Sequence, residues 1–424
     1  MSSNYLFENI QILEGSKSRL REETVLIRDG IIQAFGKQAF KSGEHLGIKS
    51  QNAKNKLLAP CLVDPHSFLE SPFNGKEENI FTLIKKATFA GYGQLGILPR
   101  GSLWRDKVES IIALKTVRSE VLLHFWGGFS IEGKGISLAR HSDLLENGAI
   151  GLADDDFIPP IELLKQAFML GEMGNSPVLV APRDISLQAG GMSRQSVETL
   201  RAGLIPDPVE SEVLPLNQIL ELYKLYPEVA LRLMNISTSE GVSILKNANS
   251  KPMSTVLWWH LINDNSTLSP YDIGWCITPS IGSPKDRASL KQGLETDVLT
   301  AVSVHSTPID DSETKRPANK RKKGISGYNL VLPLLWDELV KKSGWGIEKL
   351  WEKISFGPSK LLNQTEEKLS VGSNRWLLFD PEKEWFQSTE EKHFSRATNQ
   401  PIQNKKIFGK VIDCGLINQV YLND

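Results

Sequence analysis

Short apolar segments alternate with amphipathic stretches through the middle of the chain, and this alternation constrains the fold most. The segment "LLAPCLVD" at 57–64 predicts a buried strand, and "EENIFTLIKKATFAGYG" at 77–93 predicts an amphipathic helix ending at Gly91. "QLGILPR" at 94–100 predicts the next strand. Strand–helix alternation at this spacing predicts a parallel sheet. About eight such strands over about 300 residues favour a closed β/α barrel, with an open sheet as the alternative.

Strand-rich segments also lie at both ends of the chain. "ETVLIRDGIIQAFG" at 23–36 has two apolar runs around Asp29-Gly30, which predicts a tight β-hairpin. "NRWLLFDPEKEW" and "KKIFGKVIDCGLINQVYL" give the tail a similar strand pattern. We therefore predict an α/β fold with a TIM-type (β/α)8 barrel at 58–365. Residues 1–57 and 366–424 would together build a small composite β-sandwich module.

The composition of the 424 residues argues against several classes of partner. A net charge of −1 gives no electrostatic reason to expect nucleic acid or an anionic membrane as a partner. The three cysteines lie far apart without a CxxC pair, which argues against a thiolate zinc site and suits a reducing cytoplasm. No segment resembles a signal peptide or a membrane span, so a cytoplasmic protein is predicted.

Polar side chains follow several of the predicted strands. In a β/α barrel the chemistry lies at the carboxyl ends of the strands, so these side chains are the candidates for a site. They are Asp64, His66, Asp154, Asp155, Asp156, Arg183, Asp184, Asn235, His260 and His305.

The residue types at these ends give only limited support to a metal centre. A binuclear hydrolase needs several neutral imidazoles and one or two carboxylates. His66, Asp155 and His305 are too few for two ions, although three ligands would suffice for a single zinc ion. The alternative is that the histidines are buried polar residues with ordinary hydrogen bonds. The chain has no G-x-S-x-G elbow, P-loop or G-x-G-x-x-G motif.

An ordered series of motifs resembles the dihydroorotase, allantoinase and hydantoinase branch of the amidohydrolase superfamily, from about residue 5 to residue 413. "LLAPCLVDPHSFLESP" resembles the pattern P-G-x-x-D-x-H-x-H-L-R-E-P, and "NGAIGLADDD" resembles a segment ending S-D-D-G. "ISTSEGV", "CITPSIGSPKDRASLKQGL" and "KGISGYNLVLPLL" resemble later motifs in the same order. The resemblance implies a barrel with a composite β-module and reversible hydrolysis of a cyclic amide at a one- or two-metal centre.

Most functional positions of that family carry other residues here. The first metal histidine is kept as His66 and the bridging acid as Asp155. The other positions are substituted: the remaining metal histidines by Phe68, Ala181 and Asn235, the catalytic aspartate by His305, and three substrate-binding positions by Glu70, Arg100 and Thr278.

These substitutions remove several parts of the reaction at once. Phe68 and Ala181 have no ligand atom, and Glu70 would repel a substrate carboxylate where the family pattern has an arginine. His305 cannot act as the aspartate base does without a new geometry. The ligand count favours a catalytically degenerate dihydroorotase-like protein with no cofactor and a structural or regulatory role linked to pyrimidine biosynthesis.

Two alternatives stay open. In the first, the chain is an active cyclic-amide hydrolase with one zinc ion held by His66, Asp155, His305 and a contribution from His260. In the second, its cavity binds a small molecule without converting it, with Arg100 and Asp184 as contacts beside Arg183. By family analogy we expect aspartate transcarbamoylase or another pathway enzyme as a partner, and a homodimer.

Overall fold

The fold is described from a computed structural model that covers residues 4–267, 273–387, 397–402 and 405–417. One sheet combines both ends of the chain. Its strands run in the order β18-β17-β5-β1-β2-β3, with β4 paired to β1. The strands are β1 (Tyr5–Ile12), β2 (Arg21–Arg28), β3 (Ile31–Phe35), β4 (Ser50–Asn52), β5 (Leu57–Pro60), β17 (Trp376–Phe386) and β18 (Lys406–Cys414).

The hairpin predicted around Asp29-Gly30 is confirmed. Strands β2 and β3 pair antiparallel, and both turn residues have positive φ, 52° at Asp29 and 76° at Gly30. Two positive φ values in a two-residue loop match the twist of the flanking strands.

The segment "LLAPCLVD", predicted as one strand, forms two. Leu57–Pro60 pairs antiparallel with β17 in the terminal sheet, and β6 (Leu62–Ser67) pairs parallel with a barrel strand. Pro60 has no N–H and cannot continue the ladder, so the chain leaves one sheet at Cys61 and enters the next. The passage from module to barrel therefore lies between Pro60 and Leu62.

The central domain is the predicted barrel, and every pairing between its strands is parallel. Segments β8 and β9 are separated by Trp126 alone and together count as one of the eight barrel strands. The strands after β6 are β7 (Tyr92–Ile97), β8 (Leu122–Phe125), β9 (Gly127–Gly128), β10 (Leu152–Ala153), β11 (Val178–Val180), β14 (Leu231–Leu233), β15 (Met253–Leu257) and β16 (Ala301–Ser303).

Backbone hydrogen bonds close the barrel between its first and last strands and join β7 to the β8–β9 segment. The Phe68 amide donates to the Ser306 carbonyl oxygen at 2.7 Å, and the Trp126 amide donates to that of Ile97 at 2.9 Å. A small pair, β12 (Ser193–Arg194) with β13 (Pro206–Asp207), lies in the loops after β11. The barrel interior is filled by buried apolar side chains such as Val63, Trp126, Leu179 and Met234.

Helices connect the strands, as the amphipathic stretches predicted. The two that follow β6 and precede β16 begin with capping boxes, Asn79 with Thr82 and Ser283 with Asp286. The helices are α1 (Gly36–His45), α2 (Ile80–Phe89), α3 (Val108–Lys115), α4 (His141–Glu146), α5 (Ile161–Leu170), α6 (Ile185–Gln188), α7 (Val197–Arg201), α8 (Glu210–Leu225), α9 (Ser239–Asn247), α10 (Trp259–Ile262), α11 (Pro284–Glu295), α12 (Asp311–Thr314), α13 (Tyr328–Leu335), α14 (Ile347–Trp351) and α15 (Gly357–Leu361).

Two π-helical segments, Trp336–Lys342 and Glu352–Phe356, continue the last helices, and short 3-10 turns lie in the loops. The 3-10 turns are Ile131–Gly133, Asn265–Thr267, Ile273–Trp275 and Ala318–Lys320. Across the described ranges, no helix combines the length and apolar character that crossing a bilayer requires.

Candidate functional site

His66 lies at the end of the first barrel strand and is completely buried. Its Nδ1 is 3.0 Å from Nδ1 of His305, and its Nε2 is 2.9 Å from the hydroxyl oxygen of Thr255. Burial, followed by the charge of His305, lowers the pKa of His66 well below its usual value, so this ring is neutral. Both ring nitrogens thus already have protein partners.

His305 connects this histidine to a carboxylate. Its Nε2 donates a hydrogen bond to Oδ1 of Asp156 at 2.9 Å, since an ionised carboxylate can only accept. Burial alone would raise the pKa of Asp156. The charge and hydrogen bond of His305, with the charges of Arg183 and Arg100, outweigh burial and lower that pKa below its usual value. Asp156 is therefore a buried anion.

Arg183 supplies the cation that faces this anion, and it is one of the largest fully buried side chains. Its Nη2 donates to Oδ1 of Asp156 at 3.1 Å and its Nε donates to the Asp156 carbonyl oxygen at 2.8 Å. Its Nη1 lies 3.0 Å from the Asn235 carbonyl oxygen and 3.2 Å from that of Met234. One guanidinium, carried past the end of β11, therefore binds the ends of the two neighbouring strands β10 and β14.

Arg100 occupies the same end of the barrel beside Asp155. Its Nη1 donates to Oδ1 of Asp155 at 2.6 Å and lies 3.8 Å from Oδ2 of Asp156. Burial raises the pKa of Asp155, and the nearby Arg100 charge partly opposes that rise. Both carboxylates of the Asp155-Asp156 pair are thus matched by guanidinium groups.

Asn235 and His305 hold unusual backbone conformations at the ends of β14 and β16. Their φ angles are 53° and 47°, in the left-handed region that few non-glycine residues adopt. Oδ1 of Asn235 accepts from Ser303 Oγ at 2.6 Å and from Thr255 Oγ1 at 3.2 Å. Its buried Nδ2 has no hydrogen-bond partner among the described residues. Strain of this kind collects at functional sites.

Asp64 anchors the wall behind His66. Its two oxygens accept from the Val304 amide at 2.9 Å, from the Tyr328 hydroxyl at 2.7 Å and from the Ser67 hydroxyl at 2.5 Å. Burial raises its pKa to about 6, although the three hydrogen bonds lower it. This carboxylate holds β6, β16 and α13 together rather than facing a substrate.

A second buried network, absent from the sequence prediction, lies beside the first. Arg194 pairs with Glu212 at 3.2 Å and with Asp207 at 3.2 Å. Glu212 also accepts from the backbone amides and hydroxyls of Ser237 and Thr238. No local pattern marks Glu212, which lies on the amphipathic helix α8, as a residue that fixes the end of β14.

The predicted site residues separate into two groups. His66, His305, Asp155 and Arg100 come together at the barrel mouth, linked through Asp156, Arg183 and Thr255. The other two make different contacts: Asp184 caps α6 by accepting from the Ser186 amide at 2.7 Å, and His260 Nε2 donates to the Ser280 carbonyl oxygen at 3.2 Å. Asp156 is the carboxylate that reaches His305, where the sequence pointed to Asp155.

A metal ion does not fit the residues present at these strand ends. Phe68 and Ala181 offer no ligand atom, and both nitrogens of His66 are bound within the protein. Across the described ranges, no three His, Cys, Asp or Glu side chains are grouped to hold a metal ion.

Similarity to solved structures establishes the fold. A dihydropyrimidinase from Brevibacillus agri matches with a TM-score of 0.75 and 20% identity, covering 97% of this chain and 93% of that one. An L-hydantoinase from Arthrobacter aurescens matches with a TM-score of 0.76 and 17% identity, covering 97% and 94%. These enzymes have a TIM barrel and a β-sandwich domain, which confirms the predicted architecture.

The curated relatives are similar over nearly the whole chain. A probable dihydroorotase-like protein of Synechocystis sp. is 27% identical over 435 aligned residues, covering 94% of this chain and 96% of its own length. A dihydroorotase of Geobacter sp. is 25% identical, covering 96% and 97%, and one of Listeria monocytogenes is 26% identical, covering 96% and 95%. No family model matches the chain.

Proposed function

We propose that this chain, a dihydroorotase-like member of the amidohydrolase superfamily, does not catalyse the family's hydrolysis and acts by binding. The observation that carries the proposal is the continuous series of hydrogen bonds from Thr255 through His66 and His305 to Asp156. The two side chains kept at the metal positions already have protein partners, His66 in His305 and Thr255, and Asp155 in Arg100. A hydrolytic water would need a group that is free to activate it.

The substrate side of the site supports the same proposal. Glu70 replaces an arginine of the family pattern, and its carboxylate lies 3.5 Å from the ammonium group of Lys322 on the surface. Arg100 could bind an anionic substrate, but its guanidinium already donates to Asp155. A dihydroorotate carboxylate would therefore lack the bidentate cation that this chemistry requires.

The partner is proposed from family analogy alone. A binding role in pyrimidine biosynthesis would place the barrel against another enzyme of that pathway, with aspartate transcarbamoylase as the first choice. Sedimentation of the purified chain with purified aspartate transcarbamoylase from the same organism would test the pairing. A stable complex that changes the transcarbamoylase rate would support a regulatory role, and two independent boundaries would count against this partner.

Catalytic silence is tested by turnover of dihydroorotate and of carbamoyl-aspartate by the purified protein, with and without excess zinc. The matched control is the variant His66→Ala, which removes the histidine kept from the family pattern. We expect no rate above background for either protein, with both folded by circular dichroism. A rate that is lost in His66→Ala would reject the proposal in favour of an active cyclic-amide hydrolase with an altered site.

A further inference from the structure

We propose that the guanidinium group of Arg183 does the structural work of a metal cation in this barrel. The interpretation rests on the proposed function, because it explains how the strand ends stay together without catalytic metal. In this interpretation, a positively charged side chain of the protein replaces the metal ion. No catalytic step is assigned to Arg183.

The contacts of Arg183 reach the same elements that the family motifs place around the metal. Its Nη1 donates to the carbonyl oxygen of Asn235, which stands at the position of a metal histidine. Its Nη2 donates to Asp156, which in turn accepts from His305, and His305 contacts His66. A single cation thus contacts one metal-histidine position, Asn235, directly and is linked through Asp156 and His305 to another, His66.

The charge arrangement also resembles that of a cation bound by the protein. A buried carboxylate such as Asp156 is costly unless a cation compensates it. Nη2 of Arg183 donates directly to Oδ1 of Asp156, so a positive charge faces the buried carboxylate. Nη2 of Arg183 and Oδ1 of Asp156 lie 3.1 Å apart, and both side chains are almost fully buried.

The geometry of a guanidinium explains why arginine can take this role. Its planar fork directs several N–H groups to separate acceptors at fixed angles. Arg183 uses Nε, Nη1 and Nη2 on one carboxylate oxygen and three backbone carbonyl oxygens. Ala181, at the position of a metal histidine, lies on the same strand end, where its carbonyl oxygen accepts from the Arg183 amide at 2.8 Å. The substituted ligand position and the cation thus lie two residues apart.

The first experiment measures metal dependence of the unmodified protein. The chain is unfolded, stripped with EDTA and refolded with or without zinc, and its zinc content and melting temperature are compared. We expect no stoichiometric zinc and the same melting temperature in both samples. Stoichiometric zinc that raises the melting temperature would overturn the inference.

The second experiment removes the cation. Arg183→Met is expected to lower the melting temperature by about 3–6 °C, because the buried carboxylate of Asp156 loses its closest guanidinium group and keeps only His305 and Arg100. The matched control is Arg232→Met, since Arg232 is a half-buried arginine of β14 whose guanidinium donates to the carbonyl oxygens of Leu361 and Leu231. Equal melting temperatures of the two variants would overturn the inference.

A third variant separates charge compensation from simple packing. Adding Asp156→Asn to Arg183→Met is expected to restore part of the lost melting temperature, because the buried charge that Arg183 compensated is removed. A separate test supplies the missing cation from solution. Incubation of Arg183→Ala with millimolar ethylguanidinium is expected to raise the melting temperature of this variant, and Arg232→Ala provides the control. Fully additive losses together with no effect of ethylguanidinium would show that Arg183 acts only by filling space, and would overturn the inference.

These outcomes are distinguishable from failure of the proposed function. Turnover by a protein that needs no zinc would reject catalytic silence and leave the role of Arg183 intact. Stoichiometric zinc without turnover would reject the role of Arg183 and leave catalytic silence intact.

Discussion

The guanidinium carbon of Arg100 lies 3.6 Å from the centroid of the Phe68 ring. In the motif resemblance, Phe68 corresponds to a metal histidine and Arg100 to a substrate asparagine, so both residues depart from the pattern. A cation over an aromatic face is attracted by the ring quadrupole. The two substitutions therefore support each other, and the ring holds Arg100 where it can pair with Asp155.

This stacking predicts an energetic coupling between the two side chains. Phe68→Leu keeps an apolar side chain but removes the aromatic face, and Arg100→Met removes the charge. We expect the double variant to lose about 0.5–2 kcal/mol less stability than the sum of the single variants. Urea unfolding of all four proteins measures the coupling. Strict additivity would show that the stacked geometry contributes nothing to stability.

Glu212 should be among the most sensitive positions outside the barrel strands. It is completely buried and accepts hydrogen bonds from four donor groups of Ser237 and Thr238 in addition to its pairing with Arg194. Glu212→Ala leaves these donors and the arginine without their acceptor, so we expect a loss of about 3–5 kcal/mol. The control is Glu210→Ala, an exposed glutamate on the same helix, which should change stability by less than about 0.5 kcal/mol. Chemical denaturation distinguishes the two, and similar losses would contradict this role for Glu212.

The sequence predicted the architecture well because its signals are local. Alternation of apolar strands and amphipathic helices, and the Asp29-Gly30 turn, depend on residues close together in the chain. The contacts of the site are not local. Asp156 is 149 residues from His305 and 27 from Arg183, so its position in a run of three aspartates gave no reason to choose it over Asp155.

Back-substitution of the family aspartate should destabilise the protein. His305→Asp would place a second carboxylate beside Asp156 in a buried site, and two such groups cannot both ionise without a large cost. The pKa of one of them must rise, so its contribution to stability is present in acid and lost as the pH increases through the raised value. We expect His305→Asp to be more destabilised near pH 8 than near pH 5.

The neutral variant His305→Asn is the control for this pH dependence. It loses the same hydrogen bond to Asp156 but adds no titratable group. Melting temperatures of both variants across the pH range give the comparison. If the two variants show the same pH dependence, the new carboxylate does not interact with Asp156 as the geometry requires.

His260 gives a pH dependence of the opposite sign. Burial lowers its pKa to about 4 from the usual 6.5, against a favourable hydrogen bond to the Ser280 carbonyl oxygen, and the charges of Arg194 and Arg183 lower it further. As the pH falls below about 6.5, the unfolded chain binds a proton at this histidine and the folded chain does not until about pH 4. Stability should therefore decrease as the pH falls through this window.

The contribution of His260 is isolated by comparison with His260→Gln, whose amide can still donate to Ser280 but does not titrate. We expect the wild type to lose stability relative to the variant by up to ~1.4 kcal/mol per pH unit in this window. Urea midpoints at a series of pH values measure the difference. Parallel curves for the two proteins would mean that His260 is protonated equally in the folded and unfolded chains, which its burial against Arg194 and Arg183 opposes.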